Sequence, residues 1–134
     1  MEGFVHMTEY KKQYSYEEVV EKIENSRRFG KLPGVEVTRR MLAVLQEPQK
    51  GLPYIHVAGT NGKGSVCAFL SSVLKETGIP FGTFTSPHLV DIRERFSLNG
   101  TMISRQQFSE AFEAVYEAVC QWVEEGNPHP TYFE

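Results

Sequence analysis

Apolar residues recur along this chain with two different periods, and each change of period marks an element. Ser15-Tyr-Glu-Glu18 has capping-box spacing, and Val19, Val20 and Ile23 follow at helical intervals, predicting a helix from Ser15 onward. Arg27 to Gly34, punctuated by Gly30, Pro33 and Gly34, reads as a loop. Helical spacing resumes from Val37 to Leu45, with Met41, Leu42 and Leu45 on one face. Tyr54 to Ala58 is a short, β-rich apolar run and predicts a buried strand. Val66 to Lys75 returns to the helical period until Thr77-Gly-Ile-Pro80 breaks the chain, and Phe81 to Thr85 reads as the next strand. Asn99-Gly100 between Arg95–Leu98 and Thr101–Ile103 is a two-residue hairpin signal. Ser104-Arg-Gln-Gln107 is a second capping box. It opens a long helix with Phe108, Ala111, Phe112, Val115, Val119, Trp122 and Val123 at core spacing, ended by Glu125-Gly-Asn-Pro128.

Helices followed by strand, glycine-rich turn, helix and strand predict an α/β chain, a parallel sheet flanked by helices. Only two such strands and one hairpin are legible, fewer than these sheets hold. The expectation is an incomplete sheet, with residues 1–134 forming the first part of a larger domain. Unpaired strand edges would then offer a template for self-association.

The turn itself carries the chemistry. His56-Val-Ala-Gly-Thr-Asn-Gly-Lys-Gly-Ser65 places Gly59, Thr60, Asn61, Gly62, Lys63, Gly64 and Ser65 between the expected strand and helix. Backbone N–H groups and the positive end of a helix dipole make such a turn an anion site, and Lys63 adds a point charge within reach of β- and γ-phosphates. The run departs from G-x-x-x-x-G-K-[ST]. Val57 stands where the first glycine belongs, and Gly64 where a magnesium-binding hydroxyl belongs, with Ser65 one place late. The residues argue for ATP or another nucleoside triphosphate with Mg²⁺ bridging its phosphates.

Composition narrows the class further. The chain has 134 residues, 40% of them apolar and 23% charged, as in ordinary globular domains. A formal net charge of −3 gives no electrostatic case for nucleic acid. No apolar run reaches the roughly 20 residues of a membrane span, and no signal-peptide pattern opens the chain, so a cytoplasmic location is expected. Cys67 and Cys120 occupy apolar helical positions and read as free buried thiols.

GTNGKGS, then a helix, a G-hydrophobic-x-T strand, Thr85-Ser-Pro-His-Leu89 and Arg93-Glu-Arg95 together resemble folylpolyglutamate synthase and its bifunctional relative dihydrofolate synthase, of the Mur ligase superfamily. The resemblance runs from about Tyr16 to Glu134, and Gly64 argues against the peptidoglycan branch. It implies an ATP-dependent ligase of folate metabolism that joins L-glutamate to a folate or dihydropteroate carboxylate through an acyl phosphate. It assigns Gly59 to Ser65 to the phosphates, with Lys63 neutralising charge during transfer. Ser86 would serve as the magnesium hydroxyl and, with Pro87, line the substrate; Leu32, Thr131 and Phe133 would hold the pterin end. Ser86-Pro87 also fits an ordinary turn, Arg93 and Arg95 fit surface pairing with Asp91 and Glu94 as well as substrate contact, and His88 receives no role. The resemblance further implies that this is the amino-terminal part of the ATP-binding domain, without the carboxyl-terminal domain and inactive alone. A non-catalytic nucleotide- or partner-binding module, or another Mur-type amide ligase, is the alternative.

Overall fold

The computed structural model describes residues 13–26 and 35–134. Four helices and three short strands follow one another: α1 (Tyr16–Ser26), α2 (Val35–Val44), α3 (Lys63–Thr77), β1 (Gly82–Phe84), β2 (Phe96–Leu98), β3 (Thr101–Met102) and α4 (Arg105–Glu124). A 3₁₀ turn, Ile92–Arg95, leads into β2.

Local chemistry accounts for most of these boundaries. Both expected capping boxes form. Ser15 Oγ accepts the Glu18 amide at 3.2 Å while the Glu18 carboxylate accepts the Ser15 amide at 2.8 Å. Ser104 and Gln107 make the same reciprocal pair, at 3.1 and 2.9 Å. Gly78, left-handed at φ 72°, ends α3. Asn99 and Gly100 both have positive φ, 51° and 77°, as a two-residue turn requires.

The core lies between α1, α4 and the 3₁₀ turn. Val19, Ile92 and Phe108 are buried together, with Tyr16, Phe96, Phe112 and Tyr132 packed around them. Rings of Tyr16 and Phe96 meet Phe108 at 5.9 and 5.8 Å between centroids. Farther along α4, Ala118 and Trp122 are buried, and Arg40 of α2 covers the Trp122 ring at 5.7 Å. Val115 and Val123, expected in this core, remain 44% and 39% exposed. The helix buries a narrower stripe than its apolar positions would allow.

The sheet departs from expectation. β1 pairs with β2 and β2 with β3, both antiparallel, with Thr83 opposite Ser97 and Leu98 opposite Thr101. Tyr54 to Ala58 forms no ladder, so the expected parallel pairing with β1 is absent among the described residues. Its apolar side chains explain why: Tyr54 and Ile55 are 67% and 65% exposed, with no described neighbour to bury them. The α/β class holds; the parallel sheet does not. The buried-thiol expectation also fails, since Cys120 is exposed and Cys67 half-buried, both free. Among the described residues no helix is long and apolar enough to cross a membrane.

Candidate functional site

The loop before α3 is shaped by its glycines. Gly62 is the helix N-cap at φ 78°, a left-handed conformation that side chains resist, and it supplies no capping oxygen. The first helical bond runs from the Val66 amide to the Gly62 carbonyl. The amides of Lys63, Gly64 and Ser65 therefore stand at the start of a 15-residue helix with no intrahelical partner. A Cβ built on Gly62 or Gly64 would meet nothing within 4 Å, so no packing among the described residues covers these two glycines. Lys63 folds back over the loop: its Nζ donates to the Gly59 carbonyl at 2.7 Å and the Thr60 carbonyl at 3.4 Å. Thr60, Asn61 and Ser65 are exposed around it.

Ser86 follows β1 at the end of the sheet that faces this loop. Two contacts give the direction, and the ideal rise per residue extends it to Ser86. A Cβ on Gly100, beside the start of β1, would lie 3.8 Å from Lys75 near the end of α3. Ser71 and Thr83 hydroxyls meet at 3.1 Å midway. From that midpoint Lys63 lies about 12 Å back along the helix and Ser86 about 10 Å forward along the chain. Helix and strand run opposite ways, so Ser86 and the start of α3 share one end. Ser86 and Pro87 are both exposed, joined by a cis peptide bond.

The segment after Ser86 is held by its own polar contacts. The Glu94 carboxylate accepts amide bonds from Leu89, Val90 and Asp91 at 2.8, 2.9 and 2.7 Å. These bonds, Leu89's foremost, hold its carboxyl below the ordinary range. Arg93 pairs with Asp91 at 2.8 Å and donates to the Ile103 carbonyl. The Tyr16 hydroxyl donates to Asp91 at 2.7 Å. The Arg93 guanidinium is the main cause that holds the Asp91 carboxyl well below the usual range; partial burial opposes it and the Tyr16 bond adds to it. Arg95 Nε donates to His88 Nδ1 at 2.8 Å. Of the open pairings, Arg93 takes Asp91, whereas Glu94 turns to the backbone and Arg95 to His88. The sequence reading missed this scaffold, although Asp91-Ile-Arg-Glu94 carries capping-box spacing and forms that box.

At the other expected end, the Thr131 amide donates to Glu134 at 2.7 Å, and Thr131 Oγ1 is buried without a hydrogen-bond partner. Phe133 is 81% exposed and the Tyr132 ring crosses it edge-on. Leu32 lies outside the described residues. A groove of about 500 Å³ opens between α1 and the segment after Ser86, lined by Glu17, Glu21, Glu24, His88 and Val90 among others. Its acidic wall disfavours phosphates, unlike the loop before α3. Among the described residues no group of three His, Cys, Asp or Glu could hold a metal ion. Magnesium fits here only as a shared ion, completed by ligand oxygens and water.

No family model matches the chain. A probable bifunctional folylpolyglutamate synthase/dihydropteroate synthase of Halobacterium salinarum is 39% identical over 89% of this chain and 15% of its own length. The dihydrofolate synthase/folylpolyglutamate synthase of Bacillus subtilis is 37% identical over 90% of this chain and 28% of its own. The solved folylpolyglutamate synthetase of Lactobacillus casei superposes with a TM-score of 0.78 at 30% identity, covering 90% of this chain and 30% of that one. A complex of such an enzyme with AMPPCP and folate superposes at 0.76, with 31% identity and the same coverage. The chain thus spans less than a third of the length of the relatives it matches. By sequence and by fold, this chain is similar to part of the folylpolyglutamate synthases.

Proposed function

We propose that residues 1–134 form part of the ATP-binding domain of a ligase that adds L-glutamate to folate or dihydropteroate, in the manner of Mur-type enzymes. The observation that carries this reading is the uncapped start of α3 behind an open glycine loop, with a lysine ammonium already at its mouth. The kinship with proteins named for that activity, one of them bound to AMPPCP and folate, supplies the substrates.

In this reading the amides of Lys63, Gly64 and Ser65 take phosphate oxygens, and Gly59 to Gly62 let the backbone approach them. Lys63 exchanges its carbonyl partners for a phosphate and neutralises charge as transfer proceeds. Ser86 offers the magnesium hydroxyl that Gly64 lacks, and magnesium, when bound, supplies further charge neutralisation. Ser86-Pro87, Thr131 and Phe133 face the acceptor, and the exposed Phe133 ring gives a flat heterocycle a stacking surface.

Calorimetric titration with Mg·AMPPCP tests the reading. The wild-type chain is expected to bind, and Lys63→Ala to bind at least about tenfold more weakly while still unfolding cooperatively, because a charge-assisted phosphate bond contributes at least about 1.5 kcal/mol. Equal binding by Lys63→Ala, or none by the wild type, refutes it.

A further inference from the structure

Leu89 and Val90, at the tip of the segment after Ser86, are each 91% exposed. Apolar packing therefore does not hold this segment, and its shape rests on polar contacts from two adjacent residues. Glu94 gathers the three amides of Leu89, Val90 and Asp91. Arg95 does more. Its carbonyl accepts the Thr85 amide at 2.9 Å, just before Ser86, and its Nε donates to His88 Nδ1, just after Pro87.

The same guanidinium lies over the Tyr132 ring, 5.7 Å from its centroid. Tyr132 packs on the core cluster and edge-on against Phe133. The Arg95 guanidinium thus touches two segments, donating to His88 after Ser86 and lying over the Tyr132 ring of the Thr131–Phe133 segment. A guanidinium suits this task, since it donates in its plane while stacking through its face, which an ammonium does not do.

We propose that Arg95 is a positioning residue that ties the Ser86 segment to the Thr131–Phe133 segment, through His88 on one side and the Tyr132 ring on the other. The inference rests on the proposed function, in which the Ser86 segment meets the nucleotide's magnesium as well as the acceptor and the Thr131–Phe133 segment meets the acceptor alone. Its consequence is thermodynamic: a ligand that orders one side prepares the other, so each ligand tightens the other's binding.

The test is a set of calorimetric titrations of the full chain with Mg·AMPPCP, with folate, and with each in the presence of the other. For the wild type, folate is expected to tighten Mg·AMPPCP about fivefold or more. Arg95→Gln removes that enhancement while each separate affinity stays within about twofold. Tyr132→Leu removes it too, whereas Tyr132→Phe, which keeps the ring face, retains it. Should Arg95→Gln fail to give a cooperative thermal transition, the two Tyr132 variants decide alone. Enhancement surviving in Arg95→Gln or Tyr132→Leu overturns the inference. So does a fall in both separate affinities in Arg95→Gln, which marks a merely structural role. A wild type that binds both ligands singly without enhancement overturns the inference but leaves the proposed function standing; one that binds neither overturns both.

Discussion

α1 and α4 on one side, and α3 on the other, have comparable apolar content and opposite fates. Val19 is fully buried and Phe108 is 6% exposed, in a cluster closed by aromatic rings. On α3 no residue is buried, and Val66, Phe69 and Val73 are 45%, 74% and 61% exposed. What holds α3 among the described residues is local: a glycine at each end, a lysine strap and one hydroxyl pair to β1. Fold stability and the phosphate loop therefore occupy different parts of the molecule. A loop that must admit a ligand is made of backbone and polar contacts, which open at little cost, whereas the packed side does not open.

The sharpest way to break this contrast is to truncate one ring on each side. Phe108→Ala should cost about 3–5 kcal/mol of unfolding free energy, while Phe69→Ala should stay within about 0.5 kcal/mol. Urea denaturation of both variants decides it, and equal costs would erase the distinction. Next in size is the junction at Asp91, where the carboxylate joins Tyr16 of α1 to Arg93. Asp91→Asn should cost about 1–3 kcal/mol. Because the folded state holds this carboxyl below its unfolded value, its stabilisation is complete above about pH 4 and fades as pH falls through the folded pKa. Melting curves between pH 5 and 2 should show the wild type losing more stability than Asp91→Asn. A parallel decline would remove Asp91 as the cause. The smallest expected effect is Ser104→Ala, about 1 kcal/mol from a lost cap, read from the same denaturation curves.

Local signals were the legible part of the fold. Ser15–Glu18, Ser104–Gln107, Gly78 and Asn99-Gly100 act over three or four residues, and all behave as their sequence predicts. The direction of strand pairing was not legible, because Tyr54 to Ala58 needs a neighbour that no local rule names. The candidate site divides in the same way. The open amides at Lys63 to Ser65 follow from glycine spacing, yet Lys63 turned onto its own loop's carbonyls. His88 received no role from the sequence because its partner Arg95 lies across a turn, and the contact with Tyr132 spans an even longer stretch of chain. Glu94 was in principle readable from its spacing to Asp91.

Trp122 is the only tryptophan in the chain. Its indole N–H donates to the Pro128 carbonyl at 2.8 Å, Arg40 lies over its ring, and its side chain is almost wholly shielded from water. The chain thus carries one indole fluorophore, separable from its six tyrosines by red-edge excitation and seated where α2, α4 and the stretch leading to Thr131 converge. A red shift of its emission reports water entering that junction, and the glycine loop at the far element is silent in this spectrum. Fluorescence during denaturation therefore follows the packed side alone, and any opening of the α3 side that precedes it passes unseen unless a second indole is placed there.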